Sequence, residues 1–97
     1  MLNHMVMFRR KADVAANAAL EKALVARMDA LRDQIEVIRN WRLSTNELDR
    51  PICWGYVLES SFESVEALNT YLFHPLHQAL IADLKPYFEW AAADYTV

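Results

Sequence analysis

The sequence has very few of the residues that build phosphate-binding loops and disulfides. It contains one glycine, Gly55, and one cysteine, Cys53, among 97 residues. Rossmann and P-loop phosphate sites need several glycines in one loop, so both are excluded. A single thiol excludes an internal disulfide and any zinc site built from several cysteines. Nucleotide chemistry by those two routes and a disulfide-stapled scaffold are therefore ruled out.

Excess charge and long apolar runs are also missing. Ten basic against 13 acidic residues give a net charge of -3, which leaves no broad basic field for nucleic acid or anionic lipid. The apolar runs fall far short of the ~20 residues of a membrane-spanning helix. With 55% hydrophobic and 24% charged residues, the composition is typical of a single folded domain over residues 1–97. The basic residues 9–11 follow the apolar start instead of preceding it, so we expect no signal peptide and predict a cytoplasmic protein.

The first half of the chain predicts one helix among three strands. Residues 2–8 alternate, with both faces largely apolar, and indicate a central strand. Asp13 is expected to cap a helix that runs to about Glu36, because leucines recur there every three or four residues. Residues 37–44 and 52–62 alternate again and predict two antiparallel strands joined by a polar loop.

The second half predicts a broken helix and a last strand. Ser64 is placed to cap a short helix, and His74 with Pro75 ends it. Proline fits the first position of a helix, so a second helical piece should start there and stop before Pro86. Residues 88–97 alternate and form the last predicted strand.

The order β-α-β-β-α-β predicts an α+β domain of the ferredoxin-like type, with an antiparallel sheet. Two helical stretches cover only one face of such a sheet. Because the strands are apolar on both faces, the uncovered face needs a partner. We therefore predict a homodimeric α+β barrel, in which two copies of the sheet pack face to face.

Metal and thiol chemistry find little support in the sequence. His74 and His77 have a spacing that can turn both toward one ion, with Asp83 or Glu89 nearby. The simpler interpretation is a helix cap and a local hydrogen bond, since no third ligand is evident. Cys53 is expected to be a small core residue of the third strand. We predict neither a metal nor a cofactor.

Several segments together resemble the stress-responsive A/B barrel domain family, a branch of the dimeric α+β barrel proteins. They are His4–Phe8, Phe62–Leu68, Tyr71 with the run His74–His77, and the closing Asp94-Tyr95. Their order and spacing are specific, although each segment alone is a weak signal. The resemblance covers nearly the whole chain.

This resemblance implies a site at Tyr71, His77 and His4. In cyclase-type members such as the plant olivetolic acid cyclase, the tyrosine and second histidine of a Tyr-x-x-His-Pro-x-His run catalyse an aldol closure of a linear polyketide. A histidine of the first strand lines the same pocket. By position, His77 becomes the general base, Tyr71 the hydrogen-bond donor to an enolate, and His4 an orienting residue. A neutral imidazole and a phenol suit those roles, and no cofactor is needed.

Three functions remain open at this stage. The first is a barrel that binds an apolar or aromatic small molecule; the alternatives are a cofactor-free cyclase-like enzyme and a monooxygenase-type enzyme of the same barrel superfamily. Each site residue also has a purely structural interpretation: His77 as an interfacial histidine, Tyr71 as a helix anchor and His4 as a hydrogen-bonded core residue. A filled cavity would favour a plain dimerisation module. Three tryptophans are bulky enough to fill it: Trp41, Trp54 and Trp90.

Overall fold

The computed structural model describes all residues, 1–97. Four strands and three α-helices occur in the predicted order, and the predicted second helix is divided into two pieces. The elements are β1 (Leu2–Arg10), α1 (Ala18–Ala30), β2 (Asn40–Thr45), β3 (Tyr56–Phe62), α2 (Val65–Leu72), α3 (Pro75–Leu84) and β4 (Phe88–Thr96).

The strands form one antiparallel sheet in the order β2-β3-β1-β4. Strand β1 is central, and its His4 lies opposite Ser60 of β3 and opposite Asp94 of β4. A four-stranded antiparallel sheet with this connectivity is the ferredoxin-like α+β fold. The predicted fold class is therefore confirmed.

The core lies between the helices and one face of the sheet. Along β1, His4, Val6 and Phe8 are at most 6% exposed, whereas Met7 on the other side is 37% exposed. Leu24 and Met28 of α1 close the core from above. The alternation of β1 thus separates the two faces as the sequence predicts.

The other face of the sheet is covered by no element of this chain, and we call it the open face. By the strand register it presents small and apolar side chains along β1, β3 and β4, with polar residues around them. Met7 is one of the exposed large apolar residues of the chain. The apolar members of the open face are Met5, Met7, Val57, Ala91 and Ala93.

Helix α1 is shorter than predicted at both ends. The prediction that Asp13 caps it is wrong, because the cap is Asn17, whose side-chain oxygen accepts from the Leu20 amide at 3.1 Å. At its other end α1 stops at Ala30 and continues as one 3₁₀ turn instead of reaching Glu36. The buried apolar residues continue beyond the α-helix, which is why the spacing suggested a longer one.

The two middle strands also begin later than predicted. Strand β2 starts at Asn40 and β3 at Tyr56, three and four residues after the predicted positions. Before β3 the chain makes a turn in which the Cys53 amide donates to the Arg50 carbonyl at 2.9 Å. Cys53 is half-buried in this loop and is not the core strand residue that the alternation predicted.

The predicted caps of the second half are confirmed. The Ser64 hydroxyl accepts from the Ala67 amide at 3.1 Å and begins α2. The His74 Nδ1 accepts from the Leu76 amide at 3.1 Å, and Pro75 is the first residue of α3. Both caps satisfy amide donors that the first turn of a helix leaves unpaired.

Candidate functional site

A cavity of about 280 Å³ lies between the helix-covered face of the sheet and the helices α2 and α3. Strands β1 and β4 form its floor. The three site residues implied by the sequence, His4, Tyr71 and His77, all line it. The structure thus brings them to one place, while their chemical roles remain predictions.

Tyr71 occupies the centre of this group. Its ring centroid lies 4.5 Å from that of His77 and 6.2 Å from that of His4, and the residue is only 2% exposed. No group of the chain hydrogen-bonds to its hydroxyl. Because every fully buried side-chain nitrogen or oxygen has a partner, the hydroxyl must reach accessible space, and the cavity provides it. Burial raises the pKa of Tyr71 well above its usual value, so the phenol stays protonated and can donate.

The protonation of the His77 ring is set by the main chain. Its Nδ1 lies 2.8 Å from the carbonyl oxygen of Leu72. A carbonyl oxygen only accepts, so Nδ1 carries the proton and Nε2 keeps a lone pair. His77 therefore presents the form of imidazole that a general base requires.

The break between α2 and α3 makes this carbonyl available. In an unbroken helix the Leu72 oxygen would accept from the amide of Leu76. Here that amide donates to the His74 ring, because Pro75 starts a new helix. The freed Leu72 oxygen accepts from His77 instead, and also from the Gln78 side chain at 2.6 Å.

Burial lowers the pKa of His77 below its usual value. Two other imidazoles, those of His4 and His74, lower it further when protonated, and the hydrogen bond to Leu72 works in the opposite direction. The ring is therefore neutral at pH 7 and can accept a proton.

The lowered pKa makes the free energy of unfolding depend on pH. Below about pH 6.5 His77 becomes protonated in the unfolded chain but stays neutral in the folded chain, so the unfolded state binds more protons. The stability from the neutral ring is complete above that pH and is lost as the pH falls through the folded-state pKa. We expect the wild type to lose more stability between about pH 7.5 and pH 5 in urea titrations than His77→Gln does. Equal losses in the two proteins would contradict this assignment.

The imidazole of His4 is held by a residue that the sequence did not identify as part of the site. Its Nδ1 hydrogen-bonds to the carboxylate of Asp94, which lies directly opposite on β4 and also lines the cavity. A carboxylate accepts, so Nδ1 donates and Nε2 remains without a partner in the chain. The available signal was an aspartate in phase with Phe88, Trp90 and Ala92, on an otherwise apolar face of the strand.

The tryptophans do not plug the cavity. Trp41 donates its indole N–H to Asp29 at 3.1 Å, and Trp54 stacks on the Arg9 guanidinium at 4.0 Å. Only Trp90 forms part of the cavity wall, and the cavity remains in its presence.

The histidine pair considered for a metal is used differently. The Nδ1 of His74 accepts the cap hydrogen bond, and the Nδ1 of His77 donates to a carbonyl. No group of three or more His, Cys, Asp or Glu side chains is arranged to hold a metal ion. The side chains of the site can supply a lone pair and a phenolic donor beside apolar walls.

These features define a class: a ferredoxin-like α+β domain with a histidine- and tyrosine-lined cavity under its helices. The family model for the Stress responsive A/B Barrel Domain matches residues 2–97. The chain belongs to this family, as the sequence predicts. None of its helices combines the length and apolar character needed to cross a membrane.

Two relatives share the whole length of the chain. An uncharacterised protein of Streptomyces coelicolor is 36% identical over 95 residues, which cover 98% of each chain. A crystal structure of a dimeric Bacteroides fragilis protein with a ferredoxin-like fold is 26% identical, with a TM-score of 0.78 over 99% of this chain and 95% of that one.

Two further solved structures share only the fold. A hydroxynitrile lyase from Passiflora edulis is 18% identical, with a TM-score of 0.83 over 99% of this chain and 92% of that one. A Deinococcus radiodurans protein proposed to be an antibiotic biosynthesis monooxygenase is 16% identical, with a TM-score of 0.74 over 100% and 92%. The comparisons thus give the family and the fold, and the likeness to olivetolic acid cyclase stays a prediction.

Proposed function

We propose that this domain binds an apolar or aromatic small molecule that carries an oxygen group. The observation that carries the proposal is a cavity with apolar walls and three polar atoms of ring side chains that have no partner in the chain. They are the hydroxyl of Tyr71, the Nε2 of His77 and the Nε2 of His4. Ligand pockets typically combine such walls with a few converging polar groups.

The three polar atoms favour a ligand with one polar end. Polar groups at the edge of an apolar cavity are stabilised only when water or a ligand pairs with them. The rings of His4 and His77 flank that of Tyr71, so a ligand hydroxyl can accept from the Tyr71 O–H and donate its proton to one of the two Nε2 atoms. The remaining walls are suited to an apolar body.

A second candidate function is cofactor-free acid–base catalysis, and the proton position on His77 favours it. The Nε2 lone pair can take a proton from a carbon beside a carbonyl group, and the Tyr71 hydroxyl can donate to the enolate oxygen that forms. This is the aldol chemistry that the sequence resemblance to cyclase-type members implies, with His4 orienting the substrate. No observation on the side chains favours the monooxygenase alternative.

The domain is further proposed to act as a homodimer. The open face is apolar at its centre and has no cover within the chain, which is the usual mark of an interface. The Bacteroides relative is described as dimeric. An isologous contact of two open faces would bury both.

Calorimetric titration with 4-ethylphenol tests the binding function. We expect saturable binding to the wild type, about tenfold or more weaker binding to His77→Ala, and a smaller loss for Tyr71→Phe. His74→Asn is the matched control, because it keeps the helix cap and lies outside the cavity. Absence of binding, or equal affinity of the wild type and His77→Ala, would refute the proposed site.

A further inference from the structure

The floor of the cavity changes from polar to aromatic along its length. Strands β1 and β4 pair antiparallel, so residues two apart on β1 meet residues two apart on β4 on the same face. The rows are about 7 Å apart, at about 3.4 Å per residue. Three rows of facing residues, all of which line the cavity, are His4 with Asp94, Val6 with Ala92, and Phe8 with Trp90.

The residues above the floor follow the same gradient. Tyr71 and His77 lie near the His4 row, with ring centroids 6.2 Å from His4 to Tyr71 and 4.5 Å from Tyr71 to His77. Ile81 lines the cavity one helical turn beyond His77 and is apolar. All the unpartnered polar atoms therefore lie at one end of the cavity. Hydrogen bonding to them fixes the orientation of a bound ligand, with its polar end at this end of the cavity.

The opposite end is limited by a large side chain. The Trp90 indole packs against Phe8, with ring centroids 6.1 Å apart, and forms part of the wall. Between the two ends, Ala92 contributes only a methyl group, which leaves space above the middle of the floor.

The volume agrees with a short ligand. Pockets for drug-sized molecules occupy roughly 300–1,000 Å³, whereas a cavity of about 150 Å³ is enough for benzene. At about 280 Å³, this cavity has room for one aromatic ring with a short substituent.

We propose that Trp90 is a specificity-determining residue that restricts the ligand to a single aromatic ring, or a chain of similar size, with its oxygen at the His4 end and its apolar end against the indole. This inference rests on the binding function proposed above and specifies its substrate class. Longer alkyl or acyl chains are excluded by the indole ring, not by the polar end of the site.

Calorimetric titration with a homologous series of 4-alkylphenols, from methyl to octyl, measures the longest alkyl chain that the cavity accepts. For the wild type we expect affinity to rise by up to about fourfold per added methylene, corresponding to ~0.8 kcal/mol of buried CH₂, until the chain meets Trp90. Longer members then bind more weakly. In Trp90→Ala the optimum moves to a longer chain, and in Trp90→Leu it lies between the two.

Trp54→Ala is the matched control, because it removes the same side chain from a position outside the cavity. The alkyl chain length that Trp54→Ala binds most tightly should equal that of the wild type. If Trp90→Ala does not fold, as judged by circular dichroism, Trp90→Leu and Trp90→Phe carry the test, since both retain an apolar contact to Phe8.

The outcomes separate this inference from the function on which it rests. Binding in every protein with an unchanged optimum would overturn the role of Trp90 and leave the binding function standing. Failure of all alkylphenols to bind the wild type and the Trp90 variants would overturn the binding function itself. An optimum that moves equally in Trp54→Ala would show a general loosening of the fold, and would also overturn the inference.

Discussion

Tyr71→Ala should lower the free energy of unfolding by about 3–5 kcal/mol, the range found when a large buried aromatic side chain is truncated. The ring is 2% exposed and packs against Phe62, Trp41 and both cavity histidines, with the Phe62 centroid at 5.2 Å. Its removal leaves a void next to the existing cavity. Urea unfolding followed by circular dichroism measures the loss.

Tyr71→Phe is the matched variant and should unfold within about 1 kcal/mol of the wild type. It keeps the ring and removes a hydroxyl that has no hydrogen-bond partner in the chain, so no internal bond is lost. The same change should weaken the binding of 4-ethylphenol. A stability loss for Tyr71→Phe as large as that for Tyr71→Ala would show that the hydroxyl has an internal partner and does not serve a ligand.

Met7→Asp should convert the proposed dimer to a monomer. Met7 lies on central strand β1 in the middle of the open face, between Val57 and Ala91. When two open faces meet, an aspartate there would be buried without a partner, opposite the apolar surface of the other copy, which costs several kcal/mol for an unpaired charge. Sedimentation or light scattering should give about twice the chain mass of 11.3 kDa for the wild type and the single mass for the variant.

Leu20→Asp provides the comparison for Met7→Asp. Leu20 is exposed to a similar degree, 42% against 37%, but lies on α1, away from the open face. This protein should remain dimeric. A monomeric wild type, or a Met7→Asp protein that stays dimeric, would exclude the open face as the interface.

The parts of the fold that the sequence predicts well are those fixed by local chemistry. Ser64 and the His74-Pro75 pair cap helices through side chains and a ring that act within three residues. The alternation of β1 separates its residues into two faces because a strand has a period of two. These features need no knowledge of the rest of the chain.

The predicted helix and strand boundaries are wrong where tertiary contacts decide which residue begins or ends the element. Asp13 and Asn17 are both acceptable caps, and the path of the chain from β1 to α1 selects Asn17. Leu31 and Ile35 keep the helical spacing although α1 has ended, because the Ile35 amide still donates to the Leu31 carbonyl and both side chains stay in the core. The start of β3 depends on its pairing partners, which alternation alone does not identify.

Three residues of the candidate site were named from the sequence, but the geometry of the cavity that they line was not. The resemblance implies Tyr71, His77 and His4, and the break at Pro75 allows the first two to face inward together. Asp94 was not identified, since its role follows from a register between the first and last strands. The volume of the cavity and the choice of Trp90 as its wall depend on where each indole packs, which sequence spacing does not specify.

The hydrogen bond from His77 to the carbonyl of Leu72 is tolerant of side-chain substitution. A side-chain partner such as Asp94 can be lost by one substitution, whereas every amino acid at position 72 supplies the same oxygen. Only changes that let the helix continue through Pro75 would allow that oxygen to accept a hydrogen bond from a backbone amide again. The position of the proton on His77 is therefore insensitive to replacements in the cavity wall, so the wall can be altered for other ligands while the same ring nitrogen remains available.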